Sequence, residues 1–247
     1  MNDVAAPLPG PLHEPRRGGF GAALIGGLVG ALLTAAILIF AAPDFLATRI
    51  VRQGLLADPA ILSDTVDALR DAQYAPVLAD NRAAIETPFA SSWKGAAKPE
   101  VTLVEFYDYA CPYCKASNPS VDRLLQEDKG LRVVYRELPI LGPESVTAAR
   151  LSLAASKAGR FPAFHDALWA AGRPSPDTIA RAAAAAGVAA TPPADPVAEA
   201  ELKQNFALAG KLGATGTPVF IVGDKVMNGA VGYDALKQAI AEARARS

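Results

Sequence analysis

Two hydrophobic periods alternate along this chain. Val101-Thr102-Leu103-Val104-Glu105-Phe106-Tyr107 is a nearly continuous apolar run, rich in β-branched and aromatic residues, as in a buried strand. Leu131 to Glu137 repeats the pattern, and Thr217 to Val222 gives a third strand. A turn at Gly223-Asp224-Lys225 leads into a short fourth strand near Val226-Met227. Between these runs the spacing becomes helical. One helix follows Cys111 to about Asp128; Pro119 predicts a kink in it and Gly130 ends it. Residues 144–212 are helical in pattern, with breaks at Gly159, Gly172-Arg173-Pro174 and Thr191-Pro192-Pro193. Tyr233 to Arg246 reads as a terminal helix. The order is β-α-β, a block of helices, then β-β-α, and the first two strands should be parallel with a right-handed crossover. An α/β domain is therefore expected over residues 86–247, with a helical insertion at about 144–212.

The first third of the chain has a different character. Residues 1–17 are polar and proline-rich and end in Arg16-Arg17. No charged residue occurs from Gly18 to Pro43, which exceeds the roughly 20 apolar residues of a spanning helix. Residues 18–43 are expected to form a transmembrane anchor, with 1–17 as a cytoplasmic tail under the positive-inside rule. Arg49 and Arg52 on the far side weaken that bias. The competing reading is a cleaved signal peptide with a loose site at Phe40-Ala41-Ala42; its apolar core would be shorter, about 7–15 residues. Residues 44–85 follow as a helical extension. Asp58-Pro59 marks a helix start, and Ile61, Leu62, Thr65, Val66, Leu69 and Ala72 recur at helical spacing. One or two amphipathic helices over about 45–80 must bury that stripe on the domain or on copies of the chain. Residues 86–99 read as a loop.

Composition removes one class of function. The chain has 247 residues, 24 Lys+Arg against 25 Asp+Glu, so it lacks the basic face of a nucleic-acid binder. There are only two cysteines, and both sit in Ala110-Cys111-Pro112-Tyr113-Cys114-Lys115. Strand, short turn, then Cys111 just before Pro112 places the sulfur at a helix start. There, free N–H groups and the positive end of the helix dipole favour negative charge. Cys111 is expected to be the exposed, attacking sulfur. Cys114, one turn further in, would be buried and close the disulfide. The competing readings are an inert structural disulfide and a pair of core thiols. Structural zinc wants four ligands, and only His13 and His165 are available besides the cysteines; His165 reads as a half-exposed packing histidine. No metal site and no cofactor are expected. Two thiolates also suit Cu(I), although Met1 and Met227 are the only methionines.

With its helical block removed, the domain has the thioredoxin arrangement. Val104-Glu105-Phe106 leading into Cys111-Pro112-Tyr113-Cys114, the helical insertion, and Gly216-Thr217-Pro218-Val219-Phe220 together resemble the DsbA family of thiol:disulfide oxidoreductases over about residues 85–245. Asp58-Pro59-Ala60-Ile61-Leu62 and Pro139-Ile140-Leu141-Gly142 resemble the ScsC and 27 kDa outer-membrane-type subgroup. The resemblance implies a cis Thr217-Pro218 bond facing the cysteines and presenting backbone to a substrate peptide. It also implies that Glu105 is a buried acid that moves a proton to or from Cys114; a solvent-facing Glu105 is the alternative. Pro112-Tyr113 and Thr217 occur in relatives that isomerise or reduce disulfides, and relatives with a trimerising extension isomerise them. The expected function is thus a single-pass inner-membrane thiol:disulfide oxidoreductase with its domain in the periplasm. Its partners would be exported cysteine-containing proteins, a membrane redox partner, and copies of itself. A DsbA-type dithiol oxidase is the nearest alternative.

Overall fold

A computed structural model describes residues 30–34, 36 and 43–246. Most of the expected anchor at 18–43 therefore lies outside the described residues. Among the described residues no helix is long and apolar enough to cross a membrane. Contacts divide the chain into two units, residues 1–65 and 66–247.

The first unit contains helix α1 (Pro43–Ala57) and the start of helix α2 (Ala60–Glu86). The Asp58 carboxylate accepts from the Ala60 N–H at 3.1 Å, which caps α2 as its Asp-Pro start predicts. Ile50, Val51, Leu56, Ile61 and Leu62 are exposed along this stretch.

The second unit is built on a five-stranded sheet. Its strands are β1 (Trp93–Gly95), β2 (Val101–Tyr107), β3 (Leu131–Glu137), β4 (Val219–Val222) and β5 (Lys225–Asn228), in the order β1-β3-β2-β4-β5. β2 and β3 are parallel, as the crossover requires, and every other pair is antiparallel. Helix α3 (Pro112–Glu127) makes that crossover. The insertion is four helices, α4 (Pro143–Lys157), α5 (Phe161–Ala171), α6 (Pro176–Ala186) and α7 (Pro196–Lys211), and α8 (Tyr233–Ala245) closes the domain. The expected breaks at Gly159, Gly172 and Pro192 all fall between these helices.

Strand alternation sends Leu103, Tyr107, Val133 and Tyr135 into one core, with Val121 and Leu124 of α3 and Leu236 and Ile240 of α8. Val104, Phe106, Val134, Val219 and Ile221 face the other core, with Leu78 and Ile85 of α2 and Leu208 and Leu212. Leu78 and Ile85 are each 1% exposed, a burial worth about 1.5–3 kcal/mol per side chain. Arg136 locks the same helix end to the sheet. It is 3% exposed, and its guanidinium donates to the carbonyls of Ala84, Ile85 and Thr87, to Asn205 and to the Glu201 carboxylate. Breaking a buried pair of this kind costs about 3–5 kcal/mol. The last turns of α2 are thus part of the domain core, and only the stripe before them is left exposed: Val66 is 46% and Leu69 71% exposed.

Three local expectations need correction. Residues 86–99 are not all loop: β1 pairs with β3 from Trp93 opposite Val134 to Gly95 opposite Arg132. Three residues are too few to show an alternation. Gly95 has φ +97°, and a Cβ there would run into the Leu131 carbonyl. Helix α2 runs through Pro76 to Glu86, beyond the predicted end near 80, because Leu78 and Ile85 are buried and Arg136 caps its last carbonyls. The third strand starts at Val219, after Thr217-Pro218, rather than at Thr217.

Candidate active site

β2 and α3 deliver the two cysteines to one end of the sheet. After Tyr107 the chain turns on Asp108, whose carbonyl accepts from the Cys111 N–H at 2.9 Å. One Asp108 carboxylate oxygen accepts from the Ala110 N–H at 2.7 Å. The other accepts from the Ile140 and Leu141 N–H groups at 2.8 and 2.9 Å. A single carboxylate therefore holds the cysteine loop against the loop after β3.

Cys111 is the N-cap of α3, with extended backbone (φ −80°, ψ 118°), and Pro112 opens the helix. No side-chain hydrogen bond caps this helix start, where free N–H groups and the positive end of the helix dipole favour negative charge. Both cysteines are free thiols. Thr217-Pro218 is cis, and the Cys111 Sγ donates to the Thr217 carbonyl at 3.2 Å. Tyr113 is 65% exposed, and Ile140 and Leu141 on the neighbouring loop are 42% and 43% exposed. The expected contrast in exposure between the sulfurs is smaller than predicted. Cys111 is only 4% exposed against 0% for Cys114, because the Thr217-Pro218 loop covers its sulfur.

Their surroundings differ more. Burial pushes the Cys114 thiol well up, and the Glu105 carboxylate adds to the rise; the Asp108 backbone and the Thr217 side chain oppose it. Glu105 is 1% exposed, so the solvent-facing alternative does not hold. It projects from β2 into the core beneath α3, in register with Tyr135 and Phe220, and its Oε1 has no hydrogen-bond partner. Burial raises its carboxyl to about 8; Asp122 pushes the same way and Lys94 opposes.

A buried polar chain next to the cysteine loop was not anticipated. His165 is 3% exposed, not half-exposed as read from its sequence context. Trp169 Nε1 donates to His165 Nε2 at 3.2 Å, and an indole nitrogen can only donate. In the neutral ring Nδ1 then carries the proton and gives it to the Tyr109 hydroxyl at 3.1 Å. Burial holds this imidazole well below its ordinary value. Tyr109 bonds in turn to Ser152 and Tyr107, and Tyr107 to the Glu137 carboxyl. Glu137 is 2% exposed, and burial raises it to about 8. These residues come from β2, the cysteine loop, β3, α4 and α5, so no local sequence pattern could have marked them. Among the described residues no group of three or more His, Cys, Asp or Glu is placed to hold a metal ion.

Two buried carboxyls near 8 fix a pH dependence of stability. An unfolded glutamate ionises near 4.3, so above that pH the unfolded chain has lost protons that the folded chain keeps. Stability should fall as pH rises towards 8, and the loss is complete above it. His165 acts in the opposite sense, but only below about 6.5, the ordinary histidine value. Urea unfolding at pH 7 and 8 should therefore show a loss of about 1–2 kcal/mol over that interval, reduced by about half in Glu137→Gln. Equal stability at the two pH values would contradict the neutral buried carboxyls.

Against this geometry the comparisons are consistent. The family model of the DSBA-like thioredoxin domain matches residues 102–241, more than half of the chain. A thioredoxin-like oxidoreductase from Silicibacter pomeroyi is 38% identical, with 68% of this chain and 99% of that one covered, at a TM-score of 0.63. A periplasmic thioredoxin-like protein from Salmonella enterica serovar Typhimurium is 34% identical, covering 66% and 95%, at 0.61. ScsC of Proteus mirabilis in a transitional conformation is 29% identical, covering 84% and 99%, at 0.65. Two curated relatives, the Na(+)/H(+) antiporters NhaA 3 of Salinispora tropica and NhaA 1 of Salinispora arenicola, are 38% identical over 79 residues. That match spans 31% of this chain and only 12% of their length.

Proposed function

Because the chain belongs to the DSBA-like thioredoxin domain family, we infer that it is a thiol:disulfide oxidoreductase working through Cys111 and Cys114. One observation carries the reading: the Cys111 sulfur sits at a helix start against the Thr217 carbonyl, with Cys114 buried behind it. The thiolate of Cys111 attacks a substrate disulfide and forms a mixed disulfide; Cys114 then attacks Cys111 and releases the reduced substrate. In the reverse direction a substrate thiolate attacks Cys111 of the oxidised pair and expels Cys114. Burial makes the Cys114 thiolate costly, so its proton must be taken up or supplied within the core. Glu105 does this, as base in the first direction and acid in the second. The loop at Thr217-Pro218 presents backbone to the substrate chain beside Cys111, and Tyr113 forms part of that face.

The chain works as an isomerase or reductase rather than a net oxidase. This reading rests on Pro112-Tyr113 and Thr217-Pro218, which resemble reducing and isomerising relatives, and on the exposed stripe that includes Ile61, Leu62, Val66 and Leu69. Copies joined through that stripe would hold several pairs near one substrate and raise their effective concentration. Residues 18–43 anchor the chain in the inner membrane, the domain faces the periplasm, and a membrane partner keeps the pair reduced. The alternative of another class is Cu(I) binding by the two thiolates.

The full-length chain should be oligomeric, reduce insulin with a thiol donor and rescue scrambled ribonuclease. A chain beginning near residue 72 loses Ile61, Leu62, Val66 and Leu69 but keeps Leu78, Ile85 and the partners of Arg136; it should be monomeric, with less isomerase and more dithiol oxidase activity. A monomeric full-length chain found mostly oxidised in the cell would leave the DsbA-type oxidase. Cu(I) binding without insulin reduction would leave the metal reading.

A further inference from the structure

We propose that the Cys111 thiol caps the Thr217 carbonyl in competition with the substrate backbone, so that docking of a substrate chain and loss of the Cys111 proton promote one another. The inference rests on the thiol-exchange reading and extends it to how docking readies the sulfur. The loop is held from behind: the Gly229 N–H donates to the Pro218 carbonyl at 2.8 Å. Thr217 is half-buried, and a Cβ added at the neighbouring Gly216 would meet nothing within 4 Å, so the approach to its backbone is open. Among the described residues the Thr217 backbone makes one hydrogen bond, in which its carbonyl accepts from the Cys111 Sγ at 3.2 Å. An extended chain laid along this loop needs the same carbonyl for its own N–H, as strand pairing requires. That chain must also bring its disulfide to the Cys111 sulfur, so it arrives on the side of the carbonyl that the sulfur already occupies.

The conflict lasts only while Cys111 keeps its proton. A thiol donates to a carbonyl; a thiolate has nothing to donate, and its charge lies against the negative end of the carbonyl dipole. The helix start therefore favours the thiolate, and the bare Thr217 carbonyl favours the thiol. A substrate N–H that takes the carbonyl removes the second influence and leaves the first. By linkage, a bound chain raises the thiolate fraction by the same factor as the thiolate tightens binding. The titratable and charged groups around Cys111 are Cys114 and Lys115 of α3, Asp108 and Tyr109 of the preceding turn, and Glu105 of β2 behind Cys114. Residues 139–142 and 216–218 bring no charged side chain. Burial keeps Cys114, Tyr109 and Glu105 protonated at neutral pH.

On docking, the thiol proton goes to bulk water and the electron pair stays on the Cys111 sulfur. That pair then forms the bond to one substrate sulfur; the S–S bond within the substrate breaks, and the departing sulfur leaves as a thiolate. The resting reduced chain thus holds its nucleophile back with a hydrogen bond of its own, and a docked chain releases it.

The test uses the full chain in its reduced state. The probe is unfolded ribonuclease with every cysteine blocked by iodoacetamide, which can dock but cannot exchange. Its affinity for the parental chain should rise about 3–10-fold across the pH interval in which ultraviolet absorbance shows the Cys111 thiolate appearing, the net contribution of one hydrogen bond. Saturating probe should displace that interval downwards by about half to one pH unit. Cys111→Ser, whose hydroxyl donates and does not ionise, should bind weakly across the whole interval. Cys111→Ala, which leaves the carbonyl bare, should bind about 3–10-fold more tightly than Cys111→Ser, with the same indifference to pH. No docking to any of the three chains, equal affinities of the two variants, or a tighter Cys111→Ala with an unmoved parental interval would overturn the proposal while leaving thiol exchange intact. Failure of the parental chain to reduce insulin with a thiol donor would overturn the exchange reading itself.

Discussion

Replacing Cys111 with serine should reduce disulfide exchange to the uncatalysed rate, while Cys114→Ser should leave the chain trapped in mixed disulfides. The two outcomes differ because the two sulfurs have different tasks. Cys111 sits at the uncapped start of α3, beside the Thr217 carbonyl, where a substrate disulfide can be brought in. A serine hydroxyl there supplies no thiolate to attack sulfur or to be attacked. Cys114 has no surface access, and its partner in chemistry is Cys111. Without it the first attack proceeds and the second cannot, so covalent adducts accumulate. Non-reducing gels of each variant after incubation with a disulfide-bonded protein would display the difference. Adducts on Cys111→Ser, or none on Cys114→Ser, would reverse the assignment.

Glu105→Gln should slow the resolving step by about 10²–10⁴-fold, the usual contribution of a positioned acid or base. The glutamine keeps the shape but cannot accept a proton from Cys114, whose thiol is held well up by burial. In the parental chain resolution should accelerate as pH rises through about 8, where Glu105 ionises, and the reverse expulsion of Cys114 should slow over the same range. The variant should lose both dependences. It should also be more stable than the parent at pH 8, since a neutral side chain has no charge to desolvate. A slower reaction whose pH dependence is unchanged would show that Glu105 acts only by packing.

Most of this architecture was legible because its long elements keep one period. β2 and β3 read as strands from end to end, and the glycine and proline breaks of the insertion fall where its helices stop. The cysteine pair, Pro218 and Glu105 were found through short motifs and family resemblance. Contacts made over long sequence separations were not legible. Burial of Leu78 and Ile85, with Arg136 on the last carbonyls, extends α2 past Pro76 against its local preference. β1 exists because β3 offers an unpaired edge to three residues. Asp108 looked like a connector, but its carboxylate joins the cysteine loop to Ile140 and Leu141. His165 read as a half-exposed packing histidine, because the Tyr109 and Trp169 that enclose it are brought there by the fold.

The central claim is that Cys111 carries the attack and Cys114 completes it. Limited alkylation of the reduced full-length protein at mildly acidic pH, followed by fragment mass spectrometry across Cys111-Pro112-Tyr113-Cys114, tests it directly. The account predicts that the first label is found on Cys111, with Cys114 unmodified until the chain is unfolded. A first label on Cys114 would contradict it.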